Sequence, residues 1–156
     1  MSYSTIMVQL DLDQSNEARL HVAAELATRF DSRLIGIAAG DIQPLYFAEG
    51  AVAEAFLEKD RAAIKAQLAT MEQDFRRRFK DHSAPVEWRS APRRPTDFVA
   101  QEARSADLIV AGAHRGGIDR LRQVDSGELV LHAGRPLLVV PRQIAALTLK
   151  TAIVAW

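Results

Sequence analysis

The sequence predicts a doubly wound α/β domain, and three observations predict it. Short apolar runs alternate with longer stretches of helical period, in the order β-α-β-α-β-α-β-α-β. Two of those runs, Ala106 to Gly112 and Leu137 to Val140, are almost wholly apolar, as parallel strands covered on both faces tend to be. The chain has 156 residues, of which 48% are hydrophobic and 26% charged. That is apolar material for one ordinary core, which argues for one domain and against a disordered chain.

The first strand is Ile6-Met7-Val8-Gln9-Leu10, and Asp11-Leu12-Asp13-Gln14-Ser15-Asn16 after it has the composition of a turn and helix start. A helix follows from about Asn16 to Phe30. Leu20, Ala23, Ala24, Ala27 and Phe30 share its apolar face, with Arg19, Glu25 and Arg29 mostly off it. Asp31-Ser32 closes the helix, and Arg33 to Gly40 reads as a second strand, completing a βαβ unit with its parallel pair and right-handed crossover. Residues 41–52 break any clear period. From Ala53 to about Lys80 the pattern is helical, with Phe56, Ile64, Leu68, Met71 and Phe75 near one stripe. Arg76-Arg77-Arg78 and Lys80 fall in its last turn, where cations suit the helix dipole.

Pro85 to Arg89 alternates as a half-buried strand does. Thr96 is the expected N-cap of a short helix over Asp97 to Ser105. The two apolar strands come next, with a Gly-rich connection between them. Leu147 to Trp156 reads as one more strand, since Lys150-Thr151-Ala152-Ile153-Val154 repeats the pattern of Ser4-Thr5-Ile6-Met7-Val8. Two readings stand: the opening of a second copy of the unit, or an edge strand that pairs with another subunit. Residues 1–145 are then the domain, and 146–156 the added strand.

Composition removes several classes of function. Cysteine is absent, which excludes disulfides, zinc–thiolate sites, iron–sulfur clusters and thiol catalysis. Lys+Arg and Asp+Glu are 20 each, without the basic excess of a phosphate-gripping nucleic-acid binder. No apolar run approaches the ~18 residues of a spanning helix, and Met-Ser-Tyr-Ser-Thr lacks the regions of a signal peptide. The expectation is a soluble cytoplasmic protein, with no nucleic-acid or membrane partner. The four histidines, His21, His82, His114 and His132, have no metal spacing. Ser126 has no His base near it in sequence, and no Gly-x-Ser-x-Gly elbow occurs. Gly116-Gly117 lacks the Lys-Ser/Thr of a P-loop.

Five of the eight glycines fall between Gly112 and Gly134, directly after an apolar strand. In an open parallel sheet, ligands bind outside the C-terminal strand ends, where strand order reverses. A Gly-rich loop there brings backbone N–H groups to a phosphate, and the next helix start adds partial positive charge. Asp11, leaving the first strand, would face the same crevice. A buried acid there wants a hydrogen-bond partner, either a ligand or the next helix start.

These residues carry a resemblance. Ile6 to Asp11, Ala106 to Gly112, Arg115-Gly116-Gly117 and His132-Ala133-Gly134-Arg135-Pro136-Leu137-Leu138-Val139-Val140 together resemble a universal stress protein domain over nearly the whole chain. The resemblance implies a five-stranded parallel sheet of order 3-2-1-4-5 with helices on both faces, plus the extra C-terminal strand as this chain's addition. It implies a homodimer through strand five, a cytoplasmic role in stress resistance, and tandem members of which this chain would be the N-terminal half. It also implies two subgroups, one of which binds ATP. The ATP-binding members resemble one another in a pattern of Gly, two residues, Gly, nine residues, then Gly-Ser or Gly-Thr. Laid on this chain from Gly112, the second position is Arg115, the third Asp125, and the hydroxyl Ser126. Shifted by one, Gly116 is the second glycine and Ser126-Gly127 ends the pattern in reversed order.

A carboxylate at Asp125, ~4.5 Å from a phosphate oxygen, would repel it by roughly 3–4 kcal/mol at an effective dielectric near 20. Mg²⁺ could bridge the two and reverse the sign, and Arg115 could donate to a phosphate. The expected function is therefore a non-enzymatic, dimeric stress-response scaffold with a degenerate nucleotide pocket. The alternative is an ATP-binding switch, with Mg²⁺, whose site is Asp11, Ala38, Gly112, Arg115, Gly116 and Ser126. An α-hydrolase activity rests on fold analogy alone.

Overall fold

A computed structural model describes residues 3–42, 50–113, 119–144, 146–147 and 153. Five parallel strands form one sheet in the order β3-β2-β1-β4-β5. They are β1 (Thr5–Leu10), β2 (Arg33–Ala39), β3 (Val86–Ala91), β4 (Leu108–Gly112) and β5 (Leu137–Val140). Among the described residues, four helices connect them: α1 (Glu17–Phe30), α2 (Ala51–Arg78), α3 (Pro95–Glu102), continued by a 3₁₀ turn at Ala103–Ser105, and α4 (Ser126–Ala133). This is the expected fold class and strand order.

Strand alternation divides the core into two layers. Ile6, Val8 and Leu10 of β1, with Leu34 and Ala38 of β2, pack with α1 and with Ile64, Leu68 and Phe75 of α2. Met7 of β1, Ile35 and Ile37 of β2, and Ile109 of β4 face the other way, toward Phe98, Val99 and Leu129 of α3 and α4. β1 is therefore hydrophobic on both faces, which fixes it at the centre. Gly36 is the tightest point. A Cβ there would lie 2.7 Å from both the Phe75 and the Trp88 rings, which pack tilted at 46° with 5.4 Å between centroids. Glycine lets α2 settle onto the sheet, and Trp88 serves as a packing anchor.

Some local details match expectation and others differ for identifiable reasons. Asp31 closes α1 in the left-handed region at φ 50°, with its N–H on the Ala27 and Thr28 carbonyls. Thr96 is not an N-cap: α3 starts at Pro95, two residues before the expected Asp97, and a missing N–H at that first position costs nothing. Phe56 is not part of the core stripe; it is half exposed, and the buried residues of α2 are Ile64, Leu68 and Phe75. β5 is apolar yet lies at the sheet edge, so its composition does not mark a central strand. Arg76, Arg77 and Arg78 form a solvated helix end, paired with Glu72, Asp74 and Glu17. The strand expected over Leu147 to Trp156 lies almost wholly outside the described residues. Of it, Leu147 donates its N–H to Glu25 at 3.0 Å, and Ile153 is exposed.

Gly36→Ala is expected to destabilise the domain by about 1–3 kcal/mol through overpacking, read as a lower urea midpoint with unchanged m-value.

Candidate functional site

The sheet changes direction between β1 and β4, so the switch-point crevice lies outside their C-terminal ends. Register places the predicted residues there. Val8 pairs with Val110, which carries Leu10 level with Gly112. Leu10 pairs with Ala38, and Gly112 with Val140. Ala38, Leu10 and Gly112 thus form one row across three adjacent strands, and Asp11 is the next residue out. Ser126 is the first residue of α4. Arg115 and Gly116, with His114, lie outside the described residues.

Between the exits of β1 and β4 lies a residue expected on the wet face of α1, Arg19. Arg19 is buried, on a face with Val22, Ala23 and Leu26. Its Nη2 lies 2.9 Å from Oδ2 of Asp11, which is fully buried. Its Nη1 donates to the Gln9 side-chain oxygen at 2.7 Å and to the Gln9 carbonyl at 3.0 Å. Gln9 Nε2 in turn donates to Asp11 Oδ1 at 2.7 Å. On its other side the guanidinium covers Gly112: a Cβ there would meet Arg19 Cζ at 3.0 Å. Burial lowers the Arg19 pKa, against the opposing pull of Asp11, yet an arginine in a protein stays protonated.

Helical spacing alone places Arg19 off the face of Leu20, Ala23, Ala24, Ala27 and Phe30, and a charge there is usually solvated. The signal for the opposite lies in its partners. Gln9 interrupts a buried apolar strand, Asp11 ends it, and two such polar groups need a donor. Arg19 precedes Val22, Ala23 and Leu26 by three, four and seven residues, which is one helix face. Asn16 completes the local wiring by exchanging hydrogen bonds with the Asp11 backbone at 2.9 and 3.0 Å.

The connection after β4 is tied down across the crevice. Asp41, just beyond β2, donates its N–H to the Leu121 carbonyl at 2.7 Å. Arg122 pairs with Asp60 of α2 at 3.0 Å. At the start of α4, Asp125 is the N-cap: its carboxylate accepts the Glu128 N–H at 3.1 Å, and Arg120 stands 3.6 Å away. Its own N–H donates to Thr96 Oγ1 at 3.0 Å, joining the starts of α3 and α4. A negative group already occupies this helix N-terminus. Beside the exits of β4 and β5, a hollow of about 190 Å³ is lined by Ala113, Pro141, Arg142 and Gln143. Among the described residues, no group of three or more His, Asp or Glu is placed to hold a metal. Among them, too, no helix is long and apolar enough to cross a membrane.

A doubly wound parallel sheet with a polar crevice at its switch point defines a class of α/β domain. Within that class, the chain belongs to the universal stress protein family, whose family model matches residues 2–141. Among solved structures it is similar to universal stress protein UspA from Lactobacillus plantarum, at 20% identity and TM-score 0.67, covering 90% of this chain and 99% of that one. It is also similar to a universal stress protein family protein from Arabidopsis thaliana with AMP bound, at 15% identity and TM-score 0.60, covering 90% of this chain and 92% of that one. A universal stress protein in complex with cAMP matches at 20% identity and TM-score 0.51, covering 90% of this chain and 98% of that one. No curated protein sequence matches significantly.

Asp125→Ala should cost about 1 kcal/mol by removing the α4 cap, measured by urea denaturation; Asp125→Asn, which keeps an acceptor, should cost less.

Proposed function

We propose that this domain is a non-enzymatic, cytoplasmic stress-response scaffold whose switch-point crevice carries no nucleotide. The observation behind this reading is the Arg19 guanidinium, packed on Gly112 and held by Asp11. The Asp11 carboxylate is thereby engaged by an internal cation. The Asp125 carboxylate at the α4 N-terminus adds repulsion toward a phosphate. Taken over to this chain, the alternative ATP site is Asp11, Ala38, Gly112, Arg115, Gly116 and Ser126, with Mg²⁺ as bridge. The AMP and cAMP complexes of its structural neighbours favour that second reading.

Thermal melting separates the two. A site with micromolar affinity would add about 4 kcal/mol of stability at millimolar ligand, a midpoint rise of roughly 10 °C. The expected result with millimolar Mg-ATP, AMP or cAMP is no shift. A rise of several degrees overturns the scaffold reading in favour of the switch.

The scaffold acts as a homodimer through β5 and the strand read over residues 146–156. β5 is an edge strand with Val139 exposed, and Val130 and Leu131 of α4 are exposed as well. An apolar edge of this kind needs a partner. Light scattering after size exclusion should give a dimer, and Leu131→Asp with Val139→Asp a monomer. A wild-type monomer at tens of micromolar overturns the assignment.

A further inference from the structure

The geometry points to a guanidinium socket between the C-terminal ends of β1 and β4, which Arg19 fills as a resident ligand and for which Gly112 is kept free of a side chain. This deepens the reading of the crevice as occupied from within, and rests on it. The ligand class of the emptied socket is a small guanidinium or amidinium cation.

The wall that meets Arg19 is made of acceptors. Asp11 Oδ2, Gln9 Oε1 and the Gln9 carbonyl lie within 3.0 Å of its Nη atoms. The Ser15 carbonyl lies at 3.5 Å from Nη2. Gln9 is held with its amide nitrogen on Asp11, which turns its oxygen toward the guanidinium. Acceptors converging in one place fit a planar fork of N–H donors. They disfavour a phosphate, whose oxygens are themselves acceptors.

Gly112 supplies the opposite wall. An added Cβ would meet Arg19 Cζ, Nη1 and Nε at 3.0, 3.1 and 3.2 Å. Such a contact is cheap when the side chain can swing away. Arg19 cannot, because Asp11 and Gln9 hold it. Glycine at this position thus has a role that involves no nucleotide: it lets a buried cation lie flat on the backbone.

Coupling between the two positions is the test. Arg19→Ala should lower the melting midpoint by on the order of 10 °C, since it removes the guanidinium that pairs with Asp11. Gly112→Ala should lower it by a few degrees in the wild type and not at all in the Arg19→Ala background. Additive effects overturn the inference, because Gly112 would then be needed for something other than Arg19. Methylguanidinium at tens of millimolar should raise the midpoint of Arg19→Ala but not of the wild type, and no such rescue also overturns it. If Arg19→Ala does not fold, NMR of ¹⁵N-arginine-labelled wild type decides: a slowly exchanging Arg19 guanidinium supports the socket, and a fast one removes it. Nucleotide binding by the wild type is read separately, in the Mg-ATP melt, so the two ideas fail independently.

Discussion

One buried ion pair organises the functional end of this domain. Asp11 and Arg19 are both removed from water, a cost that their pairing offsets. The pair joins the exit of β1 to the first turns of α1 and closes the gap toward β4. A buried pair adds little net stability compared with an apolar filling, but losing one partner costs about 3–5 kcal/mol. The arrangement therefore fixes a geometry more than it supplies energy. It sets how α1 lies across the switch point, and what space remains there.

The same logic extends along the C-terminal edge of the sheet. Gln67 of α2 donates to the Leu12 carbonyl and to Asp13, binding the loop after β1. Arg122 and Asp60 bind the turn that follows β4. The carboxylate of Asp125 caps the helix whose N-terminus would otherwise attract an anion. Cation and anion positions at this edge are filled by the chain's own side chains. A residue that reads as a fault in a phosphate-binding pattern is, in the fold, a helix cap.

Legibility in the sequence follows the kind of physics involved. The alternating β-α order and the doubly wound class were readable because β1, β2 and β4 are runs of apolar residues at characteristic spacing, whereas the strand order came only with the family resemblance. The crevice was readable because Gly-rich turns follow central strands. Arg19 was missed because burial of a charge depends on partners distant in sequence. Gln9 and Asp11 lie ten and eight residues away, and their convergence is a tertiary fact. Thr96 was misplaced for a local reason: Pro95 competes for the helix start, and the Thr96 hydroxyl receives the Asp125 N–H instead.

The two edges of the sheet are treated differently, and this bears on assembly. β3 carries Glu87 and Arg89, and Arg89 also pairs with Glu102 while Glu87 faces Arg33. Charges on an edge strand oppose docking of another strand, because pairing would strip water from them. β5 carries Leu137-Leu138-Val139-Val140 with no charge at all, and Val130 and Leu131 of α4 add exposed apolar surface. Association through β3 would desolvate ions; association through β5 would remove apolar surface from water. The asymmetry favours a closed pair through β5 over an open chain using both edges.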